Sequence, residues 1–171
     1  MSQKVPNFDE LLANTRKTAV HLEMRDAYGV DYESADFAAW RETGRWDNPE
    51  YWGPWASLVK DAVARGVEMR RVRIVSEPVT EYIRFEHAGT VNNIAAGEDV
   101  RWLPRRRASD IALPGNDFWV FDGELVEWNH FSGDGELTGH ELTDEPAVVR
   151  LCTTAFEAVW DRAIPHAEFK V

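Results

Sequence analysis

The chain has 171 residues, 44% hydrophobic and 12% aromatic, with one cysteine and a formal net charge of −11. That length suits one domain burying roughly 70% of its unfolded surface, which excludes a disordered chain. No apolar run reaches the roughly 20 residues that span a bilayer, and Met1 to Glu10 lacks the apolar stretch of a secretory signal, so a cytoplasmic protein is expected. A lone Cys152 excludes internal disulfides and cysteine-based zinc ribbons or fingers.

In chain order, Phe8, Leu11, Leu12 and Thr15 fall at helical spacing and predict a first helix over 8–17. Thr18 to Tyr28 alternates loosely and is read as a strand. Ser34 caps a short helix through Trp40 that Gly44 ends. Arg45 to Pro54 is read as an aromatic loop, with Pro54 opening a helix that carries Trp55, Leu58, Val59, Ala62 and Val63 on one face. Val67 to Val75 is a strand with Val72 and Ile74 inward, and Arg71 and Arg73 alternate with them. Pro78 then opens a helix that Gly97 closes, and Asp99 to Leu103 is a short strand. Residues 104–115 form a loop around Arg105, Arg106 and Arg107. Phe118 to Phe121 and Glu124 to Phe131 flank Asp122-Gly123, the signature of a hairpin. A final helix runs from about Pro146 to Ala163.

This order predicts an α/β (α+β) fold: a mixed β-sheet with flanking helices, residues 1–66 mainly helical and 67–171 running strand, helix, strand, hairpin, helix in the same single domain. No phosphate-binding glycine loop occurs, and the five histidines form no metal-ligand pair, so no metal or cofactor is expected. With so acidic a balance, neither nucleic acid nor an anionic membrane is expected as a direct partner, whereas a basic protein is. Trp46 and Trp52, placed in the loop, and the arginine run at 105–107 are the candidate partner-binding residues. For those arginines, an internal brace against some of the 30 acidic residues is the simpler alternative.

The stretches Arg71 to Pro78, Tyr82 to Phe85, Ala96 to Arg101 and Asp117 to Asp122, with Leu22 to Tyr28 upstream, resemble a family of actinobacterial domains of unknown function. Members are often encoded beside helix-turn-helix regulators, and the resemblance implies a regulatory role. The second half also resembles a phospholipase-D-like half-fold, in which a strand ending in Asp-Gly carries His-x-Lys-x-x-x-x-Asp. With Asp122 as that aspartate, the histidine position is Gly115 and the lysine position is Asp117, so nucleophile and phosphate-binding cation are both missing. What this second resemblance implies is a degenerate cleft near Ser76, Asp117, Asp122 and His130, better suited to a cationic group than to phosphate. Three functions follow as expectations. The first is a non-catalytic regulator that binds a helix-turn-helix protein. The second is a small-molecule sensor using the cleft, and the third is an unfamiliar enzyme using Asp117, Asp122 and His130.

Overall fold

The structure, a computed structural model, describes residues 6–29, 31 and 34–171. Among these residues the helices are α1 (Phe8–Asn14), α2 (Ala35–Thr43), α3 (Pro49–Ala64), α4 (Glu81–Ala96) and α5 (Pro146–Arg162). The strands are β1 (Thr18–Glu23), β2 (Glu68–Val75), β3 (Asp99–Pro104), β4 (Asp117–Phe121), β5 (Leu125–Phe131), β6 (Leu137–Thr143) and β7 (Ile164–Pro165). They form one mixed sheet in the order β6-β5-β4-β1-β2-β3-β7, with β1, β2 and β3 parallel and the other pairings antiparallel.

Helix starts follow their caps. Asn7 and Glu10 form a reciprocal capping box on α1, Ser34 caps α2, and Thr80 caps α4. The helix expected to open at Pro54 starts five residues earlier, because Asn48 accepts from Glu50 N at 3.0 Å and Pro49 takes the first turn. Pro54 then lies inside the helix, where it forgoes one bond near an exposed turn. The Asp122-Gly123 turn forms as expected: both residues have positive φ, 53° and 69°, and Glu124 N donates to Phe121 O at 3.0 Å. The strand expected over 18–28 stops at Glu23, and the outermost strand, β6, was not expected from the sequence. β6 is mostly exposed and has no apolar alternation, so its pairing with β5 is what defines it.

Strand parity divides the core. Val20, Leu22, Val72, Ile74, Phe118 and Val120 face α5, meeting Val149, Cys152, Phe156 and Val159. On the other face, Ala19, Met69, Trp119 and Phe121 pack under α1 and α3, while Val75 and Trp102 pack under α2 and α4. Because both faces are covered, the residues alternating with the apolar ones on β1 and β2 are buried too. Arg71 and Arg73 keep only 7% and 5% exposure. No helix among the described residues is long and apolar enough to cross a membrane.

Candidate functional site

The covered face that carries the arginines opens into a cavity of about 530 Å³ between the sheet and helices α3 and α4. Its floor is made of His21 and Glu23 on β1, Arg71 and Arg73 on β2, and Trp119 on β4. Helix α4 contributes Tyr82, Glu86 and Asn93, a polar stripe at helical spacing on its inward side. Trp46, Tyr51, Trp52 and Trp55 close the cavity on the α3 side, and Phe8 reaches over Trp55 and Trp119.

The floor is a buried ion network. Glu23 accepts from Arg73 Nε at 2.6 Å and from Arg71 Nη1 at 3.2 Å. Arg71 Nε donates to Glu98 at 2.8 Å, and Glu98 also accepts from Trp55 Nε1 at 2.5 Å and Asn93 Nδ2 at 2.8 Å. Arg73 Nη1 donates to Thr90 at 2.5 Å. Burial alone would raise the pKa of Glu23, but Arg73 and then Arg71 hold it well below the carboxylate range. Glu98 is likewise lowered, against burial, by Arg71 and by its side-chain hydrogen bonds. Glu86 behaves differently: burial pushes it up to about 7 against the pull of Arg73, whose Nε lies 3.6 Å away. His21 Nδ1 bonds the Phe118 carbonyl at 2.9 Å, which can only accept, so this nitrogen carries a proton and its ring is stacked on Trp119.

Gly89 permits the aromatic wall. A Cβ there would lie 2.4 Å from Trp46 Cε3 and 2.8 Å from Trp52 Cζ2, so only glycine lets the two indoles seat against α4. Trp46 is fixed further by stacking on Phe85 at 4.0 Å and by donating to Asp36 at 3.2 Å.

The residues expected to form a site do not gather there. Asp117 opens β4 and Asp122 directly follows its last residue, five residues on, or roughly 17 Å along a strand. Asp122 accepts from the backbone N–H groups of Arg16, Lys17 and Thr18 at 2.9, 2.7 and 3.0 Å, which pins the approach to β1. Asp117 lies on the cavity side and accepts from Tyr28 Oη and Met24 N. His130 lies on the opposite face of β5, in a shallow groove with Trp128, Glu141 and Leu151. The shared cleft and the three-residue enzyme centre are therefore corrected: these side chains point to different places.

Ser76 does sit at a strand end where anions are welcome, but Asp26 already fills that position, meeting Ser76 N and Oγ at 2.6 Å each. The cation expected beside Ser76 is Arg105, whose Nε donates to Ser76 Oγ at 3.0 Å and whose Nη2 reaches the Met24 and Ile74 carbonyls. Arg105 is thus an internal brace, whereas Arg106 and Arg107 are exposed. Trp46 is buried and Trp52 half-buried in the cavity wall, so neither belongs to an outward partner surface. Sequence reasoning missed Arg71, Arg73, Glu86 and Asn93. The available signal was a pair of charges alternating inside an apolar strand, followed by a polar stripe on the next helix.

Fold and site define a three-layer α/β protein on a phospholipase-D-like architecture, with an aromatic-walled cavity over a buried ion network. The chain belongs to the family described as domain of unknown function (DUF6879), whose model matches residues 6–171. NucT from Helicobacter pylori has a similar fold, with a TM-score of 0.52 at 11% identity over 92% of this chain and 87% of NucT. TrmBL2, an archaeal chromatin protein, gives a TM-score of 0.47 at 14% identity over 91% of this chain, which spans about half (48%) of that protein. No curated protein sequence matches the chain.

Proposed function

We propose that this protein binds a small molecule in the cavity between the sheet and helices α3 and α4, and that its role is sensing or regulation. The supporting observation is the cavity itself: about 530 Å³, in the range of small-molecule sites, with aromatic walls and a few converging polar groups. Its buried polar atoms are incompletely used, since Trp52 Nε1 and Asn93 Oδ1 have no hydrogen-bond partner. A metabolite screen by thermal shift tests this. A ligand at 100 times its Kd adds about 2.7 kcal/mol, or roughly 5–10 °C for a domain of this size. The shift should vanish in Trp52→Ala and survive in Arg106→Ala. Hits indifferent to Trp52→Ala would refute the assignment of the cavity.

A second reading is a cytoplasmic regulator that binds a basic helix-turn-helix protein without itself touching DNA or membrane. The net charge of −11 supports it, as does the groove at His130 with its exposed Leu151. Affinity capture with Leu151→Glu as the control tests it: loss of one salt-sensitive partner supports the groove, and capture unchanged by the substitution rejects it.

A further inference from the structure

We propose that the cavity takes an organic cation, an ammonium or similar group carried on an aromatic or apolar body. This inference rests on the small-molecule reading and narrows it to a ligand class.

Charge is the first support. Asp9, Glu23 and Glu86 line the cavity and Glu98 lies directly behind Arg71, four carboxylates against the two guanidiniums of Arg71 and Arg73. The cations are also committed: Arg71 is shared by Glu23 and Glu98, and Arg73 is held by Glu23 and Thr90. Glu86 is left with Arg73 at 3.6 Å and the Tyr82 hydroxyl at 3.4 Å, both longer than a good charge-assisted bond. A buried carboxylate without a close counter-ion is costly, and an incoming cation supplies one.

Asn93 gives an independent indication. It is 3% exposed, lines the cavity and spends its amide N–H on Glu98, so its carbonyl oxygen is a buried acceptor with no donor. An ammonium carries several donors and no acceptor, which suits Asn93 and Glu86 together. The walls add a third indication. Trp55 already holds the Arg71 guanidinium over its ring at 5.4 Å and Trp46 stacks on Phe85, and Tyr51 and Trp52 add aromatic lining beside them, a setting of the kind that attracts a desolvated cation.

The test uses matched probes on two bodies: 2-phenylethylamine, 2-phenylethanol and 3-phenylpropionate, and the corresponding indole amine, alcohol and carboxylate, titrated calorimetrically into the full chain at pH 7. On at least one body, the amine should bind about tenfold tighter than the alcohol, with the carboxylate weakest. Glu86→Gln should remove about that factor from the amine, and Arg106→Ala should leave it intact.

A second readout does not depend on any variant folding. Glu86, facing Arg71 and Arg73 on β2, Glu23 on β1, Tyr51 on α3 and Tyr82 on its own helix, is half protonated near pH 7. Cation binding should therefore release up to about half a proton, seen as a buffer-dependent heat, and alcohol binding none. An alcohol or carboxylate binding as tightly as the amine would overturn the cation inference and leave the cavity reading standing. No binding of any probe at millimolar concentration would overturn both.

Discussion

Gly89→Ala tests the packing of the cavity wall, because two known effects oppose each other there. In a helix interior, alanine is favoured over glycine by about 0.8–1.0 kcal/mol, so at an open position the change would stabilise. Gly89 is not open: the new methyl would lie 2.4 Å from one ring carbon of Trp46 and 2.8 Å from one of Trp52. Neither neighbour is a flexible chain end. Trp46 is sandwiched against Phe85 and tied to Asp36, and Trp52 packs on Trp46 at 4.9 Å. Forcing a methylene-sized group into such packing costs about 1–3 kcal/mol. The net expectation is destabilisation centred near 1 kcal/mol, about 2–4 °C in Tm, with a change in near-ultraviolet circular dichroism as the indoles shift. Urea unfolding followed by tryptophan fluorescence measures the first, and the spectrum of the folded state the second. A variant that gains about 1 kcal/mol with an unchanged spectrum would refute the close packing of Trp46 and Trp52 on α4.

Asp122→Ala should cost about 1–2 kcal/mol, since it removes the shared acceptor of three backbone donors, of which only Thr18 N is part-buried, and puts alanine at positive φ; urea melts measure it. Against burial, hydrogen bonds from Thr18, Arg16 and Lys17 lower the Asp122 carboxyl below 3.8, so the advantage of wild type over Asp122→Asn should be present above that pH and fade below it; a pH series of urea melts checks this. Burial raises Glu127 to about 7, and its Oε2 has no partner. A raised carboxyl stabilises the fold at low pH and loses that contribution as pH climbs through 7. Glu127→Gln should accordingly be neutral near pH 4 and stabilising by roughly 1–3 kcal/mol at pH 8, read from the same melts. Burial pushes the Cys152 thiol up to about 12, so aromatic disulfide reagents should leave it untouched in the native protein and label it only on unfolding.

The parts of the fold visible in the sequence are those that local chemistry decides. Ser34 and Gly44 bound α2, Asp122-Gly123 turns the hairpin, and the apolar stripe of α5 shows its buried face. What stayed hidden depends on the second layer over the sheet. Arg71 and Arg73 look like the solvent side of a one-faced strand until α3 and α4 cover them, and nothing local announces that cover. Trp52 reads as a loop residue if Pro54 starts the helix, and Asn48 as the cap places it on α3; Trp46 does lie in the loop, and what buries it is its packing on Phe85, Trp52 and Gly89. β6 carries no period of its own and exists through its pairing with β5.

The misplaced expectations about Ser76, Asp117 and Arg105 share a physical explanation. At the carboxyl end of β2 the chain has its own anion, Asp26, and its own cation, Arg105, so the position that suits a ligand is filled from within. Those bonds hold the segment after β1, and Asp117 takes the next hold on it through Met24 N and the Tyr28 hydroxyl. Burial keeps the Tyr28 pKa well above its usual value, so it remains the donor in that pair. Tyr28 is also a cavity wall, close to Tyr82 and Phe131. The end of the sheet where a cleft was expected thus serves as the rear support of the cavity: on the proposed small-molecule reading, weakening Arg105 or Asp117 should act through the placement of Tyr28, whereas changing Glu86 or Asn93 should act directly.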